Sequence, residues 1–373
     1  MDKFRILLLN SLDIYGGGEF YVHRLAKSLK LQGHTVWVSC RDDVLLFEKC
    51  KCEQLDVFPV AYPANGKSNL ITNIKKIKNF ALENNVQVIH SNTNYDRTAG
   101  AFAAYFAKAA SVATVHSFHS ISHNLTHWFR NKYLIDAFIA DSKKIKELLV
   151  KKDNIATSKV FLVNIGINPD NIKRREEAGI KTRNELSIPS DAIVIGNVGR
   201  MVEFKGQEFL IRAFAESLKE CSNLFLIITG DGKLKNNLLE LVENLDVKRN
   251  IRFTGFRNDL DSVYSAFDIY AHTSLEGGGE LFPISVLNAL AQGLPVLASD
   301  AGDISSMVIN GKNGYLVKPK DVTGISARII ELAKNRQLRS EFGKTGNKFF
   351  TENFTEDKMT AEISAIYGRI INK

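Results

Sequence analysis

The chain has 373 residues, 45 % of them hydrophobic and 24 % charged, a balance that favours two globular domains of ordinary size over a single one. Its four cysteines are too few for a disulfide scaffold and lack the spacing of a zinc site, so we expect reduced thiols in a cytosolic enzyme. The net charge of +8 lies entirely in residues 1–165, which hold 22 Lys and Arg against 14 Asp and Glu, whereas the remainder holds 27 of each.

This basic half suits an anionic partner, either a phosphorylated substrate or a phospholipid surface. Nucleic acid is disfavoured, because no recognition motif accompanies the charge. The apolar run in residues 1–10 is too short for a signal peptide. The Ala-rich stretch 99–115 is interrupted by Lys108 and is shorter than the roughly 20 residues of a spanning helix. We therefore expect no membrane-spanning segment and a cytoplasmic location, peripheral on the inner face of the cell membrane if the basic half docks on lipid.

The first half of the chain alternates short apolar runs with amphipathic stretches. Phe4–Leu9 is too short for a helix and indicates a buried parallel strand. A glycine cluster, Gly16–Gly18, follows it, and Val22, Leu25 and Leu29 then recur at helical spacing. Further strands are expected at Thr35–Ser39, Val57–Val60, Val86–His90, Ser111–Val115, Ala137–Ala140 and Val160–Val163. Strands that alternate with helices predict a parallel sheet covered on both faces.

The alternation pauses at a polar, charged stretch, which we predict to be a linker over residues 166–190, between domains 1–165 and 191–355. The second domain is expected to contain strands at Ile193–Val198, Leu224–Thr229, Ile251–Thr254, Ile269–Ala271, Val296–Ser299 and Tyr315–Val317. Residues 356–373 are expected to contain a final helix. Open α/β domains bind ligands at the carboxyl ends of their strands, so we expect the two domains to do so across a cleft.

A glycine-rich loop precedes a helix predicted from about Pro283 to Gln292, with Gly293 just past its end. The loop carries two carboxylates, Glu276 and Glu280. A helix start after such a loop can hold a diphosphate through its free N–H groups and positive dipole. The alternative is a plain crossover from strand to helix.

A second loop, residues 199–206, directly follows a predicted strand and carries Arg200 and Lys205. Two cations at the carboxyl end of a strand could neutralise a departing phosphate, because guanidinium binds oxygens bidentately and ammonium acts as a point charge. The alternative is a pair of solvated surface cations with Glu203 as partner.

Both loops belong to an ordered series of motifs. These are GGGE (16–19), ATVHS (113–117), IADS (139–142), NIGIN (164–168), VGRMVEFKG (198–206), ITGDG (228–232), FTGF (253–256) and ALAQGLPVLASDAG (289–302). In order and spacing they resemble the retaining glycosyltransferases of family four, the group 1 type, over nearly the whole chain. The resemblance implies a GT-B fold, with two Rossmann-like domains across a deep cleft. It further implies that the first domain binds the acceptor, the second binds the nucleotide sugar, and the final helix returns to the first.

The resemblance implies roles for the residues that match the family's motifs. Arg200 and Lys205 correspond to the pair that stabilises the departing nucleotide diphosphate. His116 corresponds to a histidine whose ring or backbone meets the donor sugar. Glu280 corresponds to the first of two paired glutamates and holds donor-sugar hydroxyls. Together these four residues are the expected catalytic set.

A wider set of contacts is implied in the same way. Gly16 and Gly17 correspond to the loop that closes over the phosphates and the reactive centre. The other donor-binding residues implied are Gly166, Gly199, Gly230, Leu281, Phe282, Pro283 and Ile284. The residues that we expect to contact the acceptor are Glu19, Asn92, His119 and His123.

The chain departs from the family pattern at Asn288. This residue lies eight positions after Glu280, where the family has a second glutamate that accepts hydrogen bonds from the ribose hydroxyls. An amide offers one acceptor oxygen and two donor hydrogens, whereas a carboxylate offers two acceptor oxygens. We therefore expect weaker or altered nucleotide binding. Glu276 is the competing first glutamate, but Ile284 lies eight positions after it and cannot act as its partner.

The chemistry implied by the resemblance needs a stabilised diphosphate more than a metal ion. Arg200, Lys205 and the helix start could supply that stabilisation without a metal ion. We therefore expect no metal, with Asp231 and Asp300 as the carboxylates that could contradict this. The only cofactor expected is the donor itself, a UDP- or GDP-sugar. The acceptor expected is a glycan or a lipid-linked molecule, in bacterial envelope polysaccharide or lipopolysaccharide synthesis.

Three histidines, His119, His123 and His127, recur every four residues and would form one stripe on a helix. Three interpretations remain open for this stripe. It could be a metal site, although no carboxylate joins it at ligand spacing. It could recognise the acceptor, or it could be a partly buried polar face.

Two further segments combine lysines with apolar residues. In residues 73–80 we expect Ile74, Ile77 and Phe80 to face the sheet, with the lysines outward. Residues 128–133, WFRNKY, form the second segment. These segments are either ordinary solvated helix faces or a docking surface for anionic lipid, on which each lysine contributes about 1 kcal/mol.

Three functional classes compete for this sequence. A nucleotide-sugar glycosyltransferase agrees with the most motifs. A dinucleotide-dependent oxidoreductase also opens with a strand, a glycine loop and a helix, but GGGE lacks the GxGxxG spacing and Ser39-Cys40-Arg41 replaces the acidic ribose ligand. A non-catalytic relative that binds nucleotides or glycans is suggested by Asn288 alone.

Overall fold

The computed structural model describes residues 2–12, 17–62, 70–277 and 281–372. The chain divides into two compact units, a first unit of Met1–Gly166 with Glu356–Lys373 and a second unit of Ile167–Thr355. Each is an open sheet of parallel strands with helices packed against it, so the predicted α/β fold class is confirmed. Within the described ranges, no helix combines the length and the apolar character needed to cross a bilayer.

The first unit contains a seven-stranded sheet. Its strands are β1 (Arg5–Leu9), β2 (Thr35–Ser39), β3 (Asp56–Val57), β4 (Val88–Ser91), β5 (Ala110–Val115), β6 (Ala137–Ala140) and β7 (Val160–Leu162). Helices of this unit are α1 (Gly17–Leu31), α2 (Leu45–Cys52), α3 (Leu70–Glu83), α4 (Asn94–Ala107), α5 (Leu125–Phe129) and α6 (Lys143–Lys151). A π-helical turn, Arg130–Leu134, continues α5.

Hydrogen bonding gives the strand order β3-β2-β1-β4-β5-β6-β7, and every pair is parallel. The strand order reverses between β1 and β4. The carboxyl ends of all these strands open on one edge of the sheet, and the reversal point on that edge is where open α/β sheets bind ligands.

The second unit contains a six-stranded sheet in the order β10-β9-β8-β11-β12-β13, also parallel throughout. Its strands are β8 (Ile193–Val198), β9 (Leu224–Thr229), β10 (Ile251–Gly255), β11 (Ile269–His272), β12 (Val296–Ser299) and β13 (Gly314–Val317). Its helices are α7 (Glu176–Glu185), α8 (Gln207–Leu218), α9 (Lys235–Asn244), α10 (Leu260–Ser265), α11 (Ile284–Ala291), α12 (Val322–Lys334) and α13 (Arg336–Asn353). Here the order reverses between β8 and β11.

The last helix, α14 (Glu356–Ile371), belongs to the first unit and packs on α1 and β5. Its Tyr367 is fully buried, and the hydroxyl lies 2.6 Å from Nδ1 of His90 on β4. Nε2 of the same histidine lies 2.6 Å from Oγ1 of Thr114 on β5. Buried hydrogen bonds therefore join the end of the chain to the middle of the first sheet.

The stretch 166–190, predicted as a linker, contains a helix instead. Helix α7 packs on α10, and Arg183 holds it in place by bonds to the carbonyl of Ala266, 2.9 Å, and to the carboxylate of Asp268, 2.8 Å. Because the helix attaches largely through polar groups, it lacks the apolar stripe that would have predicted it. The polar composition of this stretch therefore reflects a surface helix of the second unit.

The other predicted elements agree with the structure to within a few residues. The largest difference is β3, predicted over Val57–Val60 but regular only over Asp56–Val57. The chain still bonds beside β2 beyond its end, from the amides of Phe58 and Val60. On α3, Ile77 is buried and Phe80 stacks on Phe58 with ring centroids 4.0 Å apart, which confirms the predicted inward face.

Candidate functional site

The cationic side chains of Arg200 and Lys205 both lie near the Phe204 ring, in the loop after the carboxyl end of β8. The loop after the strand turns through a short 3₁₀ helix, Glu203–Lys205. The guanidinium carbon of Arg200 lies 5.9 Å from the centroid of the Phe204 ring, and Nζ of Lys205 lies 5.6 Å from it. Glu203, the partner considered from the sequence, pairs with Lys233 at 3.0 Å instead. The loop therefore gathers positive charge at the edge of the sheet where ligands bind.

Neighbouring strands hold this loop in shape. The amide of Leu275, just past β11, donates to the carbonyl of Phe204 at 2.7 Å. The hydroxyl of Thr273 donates to the carbonyl of Gly206 at 3.1 Å. The side chain of Gln207 donates to the carbonyl of Arg200 at 3.0 Å. The backbone from Arg200 to Gly206 is therefore hydrogen-bonded to its neighbours at three carbonyls, which fixes the loop that carries the two cationic side chains.

Gly199 and Gly230 allow two strand ends to approach closely. Gly230 has φ +132°, and a Cβ there would lie 2.1 Å from the carbonyl oxygen of Gly199. On its other side, Gly199 has the Lys205 side chain within ordinary contact, 3.6 Å from where a Cβ would lie. Only glycine at position 230 permits this approach. The predicted donor residues Gly199, Gly230 and Lys205 are thus brought together.

The glycine-rich loop after β11 is described only in part. Gly278, Gly279 and the predicted catalytic Glu280 lie outside the described residues. Beyond them, Leu281, Phe282 and Pro283 are buried. Pro283 precedes the helix, and its carbonyl accepts the amide of Val286 at 3.0 Å. Helix α11 begins at Ile284, one residue later than predicted, because the backbone of Pro283 is still extended.

Asn288 lies on α11, half-buried, with its side chain close enough to the hydroxyl of Tyr264 to act on the pKa of that phenol. That hydroxyl donates to the carbonyl of Ser285 at 2.9 Å. Burial raises the pKa of Tyr264 well above its usual range, so the phenol stays protonated. The residue that replaces the family's second glutamate therefore lies beside a protonated tyrosine of the same unit.

In the first unit, the carboxyl ends of β5 and β6 bring His116 and Asp141 together. Nδ1 of His116 lies 2.9 Å from Oδ2 of Asp141. The Tyr21 ring from α1 meets the imidazole edge-on, with centroids 4.6 Å apart. The side chain of Asn164 donates to the carbonyl of Asp141 at 3.0 Å. A carboxylate on Nδ1 makes that nitrogen the donor and orients the ring.

Two buried atoms of this pair have no hydrogen-bond partner within the described ranges, Nε2 of His116 and Oδ1 of Asp141. The pair therefore has one accepting nitrogen and one accepting oxygen to offer. Buried polar atoms are nearly always satisfied, so these two are suited to a hydroxyl that arrives with a substrate.

Two of the residues predicted to contact the acceptor, Glu19 and Asn92, are buried in the first unit. They lie near the carboxyl end of β1. The Asn10 side chain donates to Glu19 at 3.3 Å, while Asn92 donates to the carbonyl of Leu9 at 3.0 Å. Oδ1 of Asn92 is buried without a partner in the described part of the chain. Both residues therefore lie at the reversal point of the sheet.

The structure places the three predicted glycines of the first unit in different surroundings. Gly16 lies outside the described residues. Gly17 begins α1 with open space around it. Gly166 is buried, and its amide already donates to the sulfur of Met359 at 3.2 Å. The amide of Gly166 is therefore occupied within the first unit.

The three histidines do not form a helical stripe. His119 and His123 lie exposed in the loop before α5, and only His127 is helical, because Asn124 caps that helix by accepting the amide of His127 at 2.9 Å. The rings of His123 and His127 are still close, with centroids 5.7 Å apart. Across the described residues, no cluster of three or more His, Cys, Asp or Glu could hold a metal ion.

Sequence reasoning missed three residues of these sites. Asp141 had a usable signal, since it ends a strand next to the one that His116 follows. Phe204 lies between the two predicted cations and was not given a role. Tyr264 had no signal, because its contact with Asn288 joins separate helices.

Comparison with known families covers most of the chain. The family described as "Glycosyl transferases group 1" matches residues 180–349, and the "Glycosyltransferase Family 4" model matches residues 15–171. An uncharacterized glycosyltransferase of Methanocaldococcus jannaschii is 30 % identical over 243 residues, 64 % of this chain and 59 % of that protein. The lipopolysaccharide core biosynthesis glycosyltransferase LpsE of Rhizobium meliloti is 29 % identical over 178 residues, 48 % of this chain and 50 % of LpsE. The alignments thus span between half and three fifths of the length of these relatives.

Solved structures share the fold over the whole chain. A glycosyltransferase from Rickettsia africae superposes with a TM-score of 0.89 at 20 % identity, covering 100 % of this chain and 99 % of its own. Anabaena HepE, solved in complex with UDP, gives a TM-score of 0.85 at 22 % identity, covering 98 % of this chain and 100 % of its own. The predicted GT-B architecture is confirmed by these neighbours.

Proposed function

This chain belongs to the group 1 glycosyltransferases of family 4, and on that premise we propose that it transfers a sugar from a nucleotide-diphosphate sugar to a glycan or lipid-linked acceptor. The observation that carries the proposal is the convergence of Arg200 and Lys205 on the Phe204 ring. A pair of cations held at the carboxyl end of a strand stabilises a diphosphate as it leaves. Because the chain belongs to this family, the competing interpretation as a dinucleotide-dependent oxidoreductase has no support.

In this proposal the second unit holds the donor. Arg200 and Lys205 bind the diphosphate, Gly199 and Gly230 let it approach the backbone, and the loop from Glu280 through Ile284 meets the sugar. A helix start adds positive potential for the phosphates. The donor is a UDP- or GDP-sugar and the transferred group is a hexose. HepE, a neighbour by fold, was solved with UDP and with UDP-glucose, which supports a nucleotide of this class.

The first unit in turn holds the acceptor and the reactive centre, with His116 at the donor sugar. The accepting Nε2 of His116, unpartnered in the described chain, supports contact with a sugar hydroxyl. Glu19, Asn92, His119 and His123 are the proposed acceptor residues, and Gly16 and Gly17 form the proposed closing loop. The name of LpsE supports an acceptor in lipopolysaccharide or envelope polysaccharide synthesis. We also propose retention at the anomeric carbon, no requirement for a metal, and a cytoplasmic protein peripheral to the membrane.

The first experiment is a thermal-shift screen against UDP, GDP, ADP, CMP and their sugar conjugates, in the presence of EDTA. We expect one nucleotide to raise the melting temperature, since a ligand that binds only the folded state stabilises it. The double variant Arg200→Gln, Lys205→Gln should lose that shift. The matched control is Lys219→Gln, Arg249→Gln, which removes the same charges at the amino ends of β9 and β10 and should keep it.

The donor found in this way is then used for turnover. Proton NMR of the released or transferred sugar should show the α or β configuration of the donor preserved, with unchanged rate in EDTA. An inverted product, or a rate that depends on added metal, contradicts those parts of the proposal. A nucleotide shift without turnover of any donor and acceptor supports the non-catalytic relative. No shift with any nucleotide contradicts the proposed donor site.

A further inference from the structure

Exposed aromatic side chains are concentrated in one part of the first unit. Of the seven in the described part of the chain, six lie between residues 105 and 133. We define the aromatic face as Tyr105, Phe106, Leu125, Trp128, Phe129 and Tyr133. Leu125 is 84 % exposed, and the five rings are each between 45 and 64 % exposed. Exposed apolar groups are normal when scattered, but a cluster of large ones marks an interaction surface.

These residues form one continuous surface. Tyr133 packs on Trp128 and on Phe129, with ring centroids 5.8 and 5.2 Å apart. Tyr105 and Phe106 on α4 lie edge-on to each other at 5.5 Å. Tyr105 and Tyr133 line the same cavity of about 430 Å³, which joins the α4 side of the face to the α5 side.

A buried arginine holds the face outward. Arg130 begins the π-helical turn and is fully buried. Its guanidinium donates to Thr98 at 2.7 Å and to the carbonyl of Ile121 at 3.1 Å, while Nε donates to Asn131 at 2.9 Å. Because the inner side of this helix is bonded through polar groups, the adjacent Phe129 and Trp128 remain on the outside.

The charge of this surface is positive. Nζ of Lys132 lies 4.8 Å from the centroid of the Trp128 ring and 5.2 Å from that of Tyr133. Lys108 lines the same cavity as Tyr105 and Tyr133. Asp136, the carboxylate on the wall of that cavity, accepts the amide of Ser111 at 2.8 Å. The face therefore combines aromatic rings with ammonium groups, within the half of the chain that carries all of the excess positive charge.

We propose that the aromatic face docks the protein on an anionic lipid bilayer. Tryptophan and tyrosine favour the boundary between headgroups and acyl chains, where one end of the ring is wet and the other apolar. Lysine stems can lie along the apolar boundary while their ammonium groups reach lipid phosphates. This proposal rests on the proposed function in one respect, that a lipid-linked acceptor lies in the same membrane.

The face is distinct from the lysine-rich α3. On that helix Lys75 and Lys76 are exposed, but its aromatic residue, Phe80, packs inward on Phe58. Charge without aromatic side chains gives binding that salt screens, whereas insertion of apolar groups persists. The proposal therefore assigns specific docking to the aromatic face and only general attraction to α3.

The first test is co-flotation with vesicles of phosphatidylcholine alone or mixed with phosphatidylglycerol, without donor or acceptor. We expect binding to the mixed vesicles only. Leu125→Ser, Trp128→Ser, Phe129→Ser should reduce it at least tenfold. The control triple Leu31→Ser, Ile180→Ser, Leu239→Ser alters exposed aliphatic residues elsewhere and should bind as the unaltered chain does. Lys132→Gln should weaken binding about fivefold, the effect of one lysine at an anionic surface.

The second test uses the fluorescence of Trp128. The chain has two tryptophans, so Trp37→Phe leaves Trp128 as the only one. We expect its emission to shift to the blue on mixed vesicles and to be quenched by lipids brominated near the headgroup. Vesicle binding without either change overturns the aromatic face as the contact.

Other outcomes also overturn the proposal. These are no binding of the unaltered chain to mixed vesicles, equal binding by the aromatic-face triple, or a dimer in sedimentation that this triple dissociates. The last result would assign the face to a second copy of the chain. Each variant is first checked for an unchanged melting temperature and an unchanged nucleotide shift. A failed donor site would appear in that nucleotide shift, and a failed docking face would appear only in the vesicle assays.

Discussion

His116 and Asp141 are 25 residues apart in the chain, yet Nδ1 of the histidine lies 2.9 Å from Oδ2 of the aspartate. They meet because β5 and β6 are parallel neighbours, so both residues leave the sheet at the same edge. The carboxylate holds the proton on Nδ1 and leaves Nε2 as an acceptor. If His116 meets the donor sugar, Asp141 is the residue that positions it.

Asp141→Asn should lower kcat about a hundredfold, the lower end of the range for lost acid–base assistance. An amide can donate to Nδ1, which moves the histidine proton to Nε2 and removes the acceptor. KM for the donor should change little, because the proposed diphosphate site, at Arg200 and Lys205, is in the second unit. Steady-state kinetics with the identified donor measure both constants. Asp136→Asn, the same change at the amino end of β6, is the control, and an equal loss in both variants would contradict a positioning role.

Asn288→Glu should tighten nucleotide binding. A carboxylate accepts two ribose hydroxyls, and a charged hydrogen bond contributes about 1 kcal/mol more than a neutral one, or about fivefold in Kd. Calorimetric titration of the nucleotide found in the thermal-shift screen measures the change. Asn288→Ala, which removes the amide, should weaken binding. If Asn288→Glu tightens binding of no nucleotide, this residue does not face the ribose.

Gly230→Ala should destabilise the second unit by about 1–3 kcal/mol and weaken nucleotide binding, because the added methyl pushes the Gly199 carbonyl and the cation loop away. Gly255→Ala is the matched control, since Gly255 has φ +68° with nothing within 4 Å of a Cβ. Gly255→Ala should lower the free energy of unfolding by only about 1 kcal/mol, because it adds backbone strain alone. Thermal melting and nucleotide titration of both variants measure the combined effect of the close contact and of the more strained backbone at Gly230, φ +132° against +68° at Gly255. Equal losses would show that the close approach contributes nothing.

The first unit should lose stability as the solution is acidified, because burial lowers the pKa of His90 to about 3. Between that pKa and the ordinary histidine pKa of 6.5, the unfolded chain binds a proton that the folded chain does not. The stabilising contribution is therefore complete above pH 6.5 and is lost as the pH falls. Burial also lowers the pKa values of His23 and His34. It raises that of Asp96 to about 7, which opposes the trend.

The measurement therefore compares the His90→Asn variant with the unaltered chain. His90→Asn should melt at a lower temperature at pH 8, since it disturbs the hydrogen bonds to Tyr367 and Thr114. Its melting temperature should also fall less between pH 7 and pH 5, because the Asp96 contribution is common to both proteins and cancels. An equal slope for the two proteins would mean that His90 does not titrate on unfolding.

Much of the fold could be predicted because buried parallel strands are continuous apolar runs. Ala137–Ala140 and Leu224–Thr229 appear in the structure with the predicted bounds. Helix α7 could not be predicted, because a helix held by Arg183 and by backbone carbonyls needs no apolar stripe. The histidine stripe was wrong for a related reason. Periodicity indicates which residues would share a helix face, and Asn124 starts the helix too late for His119 and His123 to join it.

The sequence by itself determined the α/β class, the position of the cations after β8 and the motif series that identifies the family, because each of these depends on residues close together in the chain. Only the tertiary structure decided which partners they meet. The approach of Gly230 to Gly199, the proximity of Asn288 to Tyr264 and the pairing of His116 with Asp141 each join different strands or helices. Their geometry follows from strand order and helix packing, which local spacing does not encode.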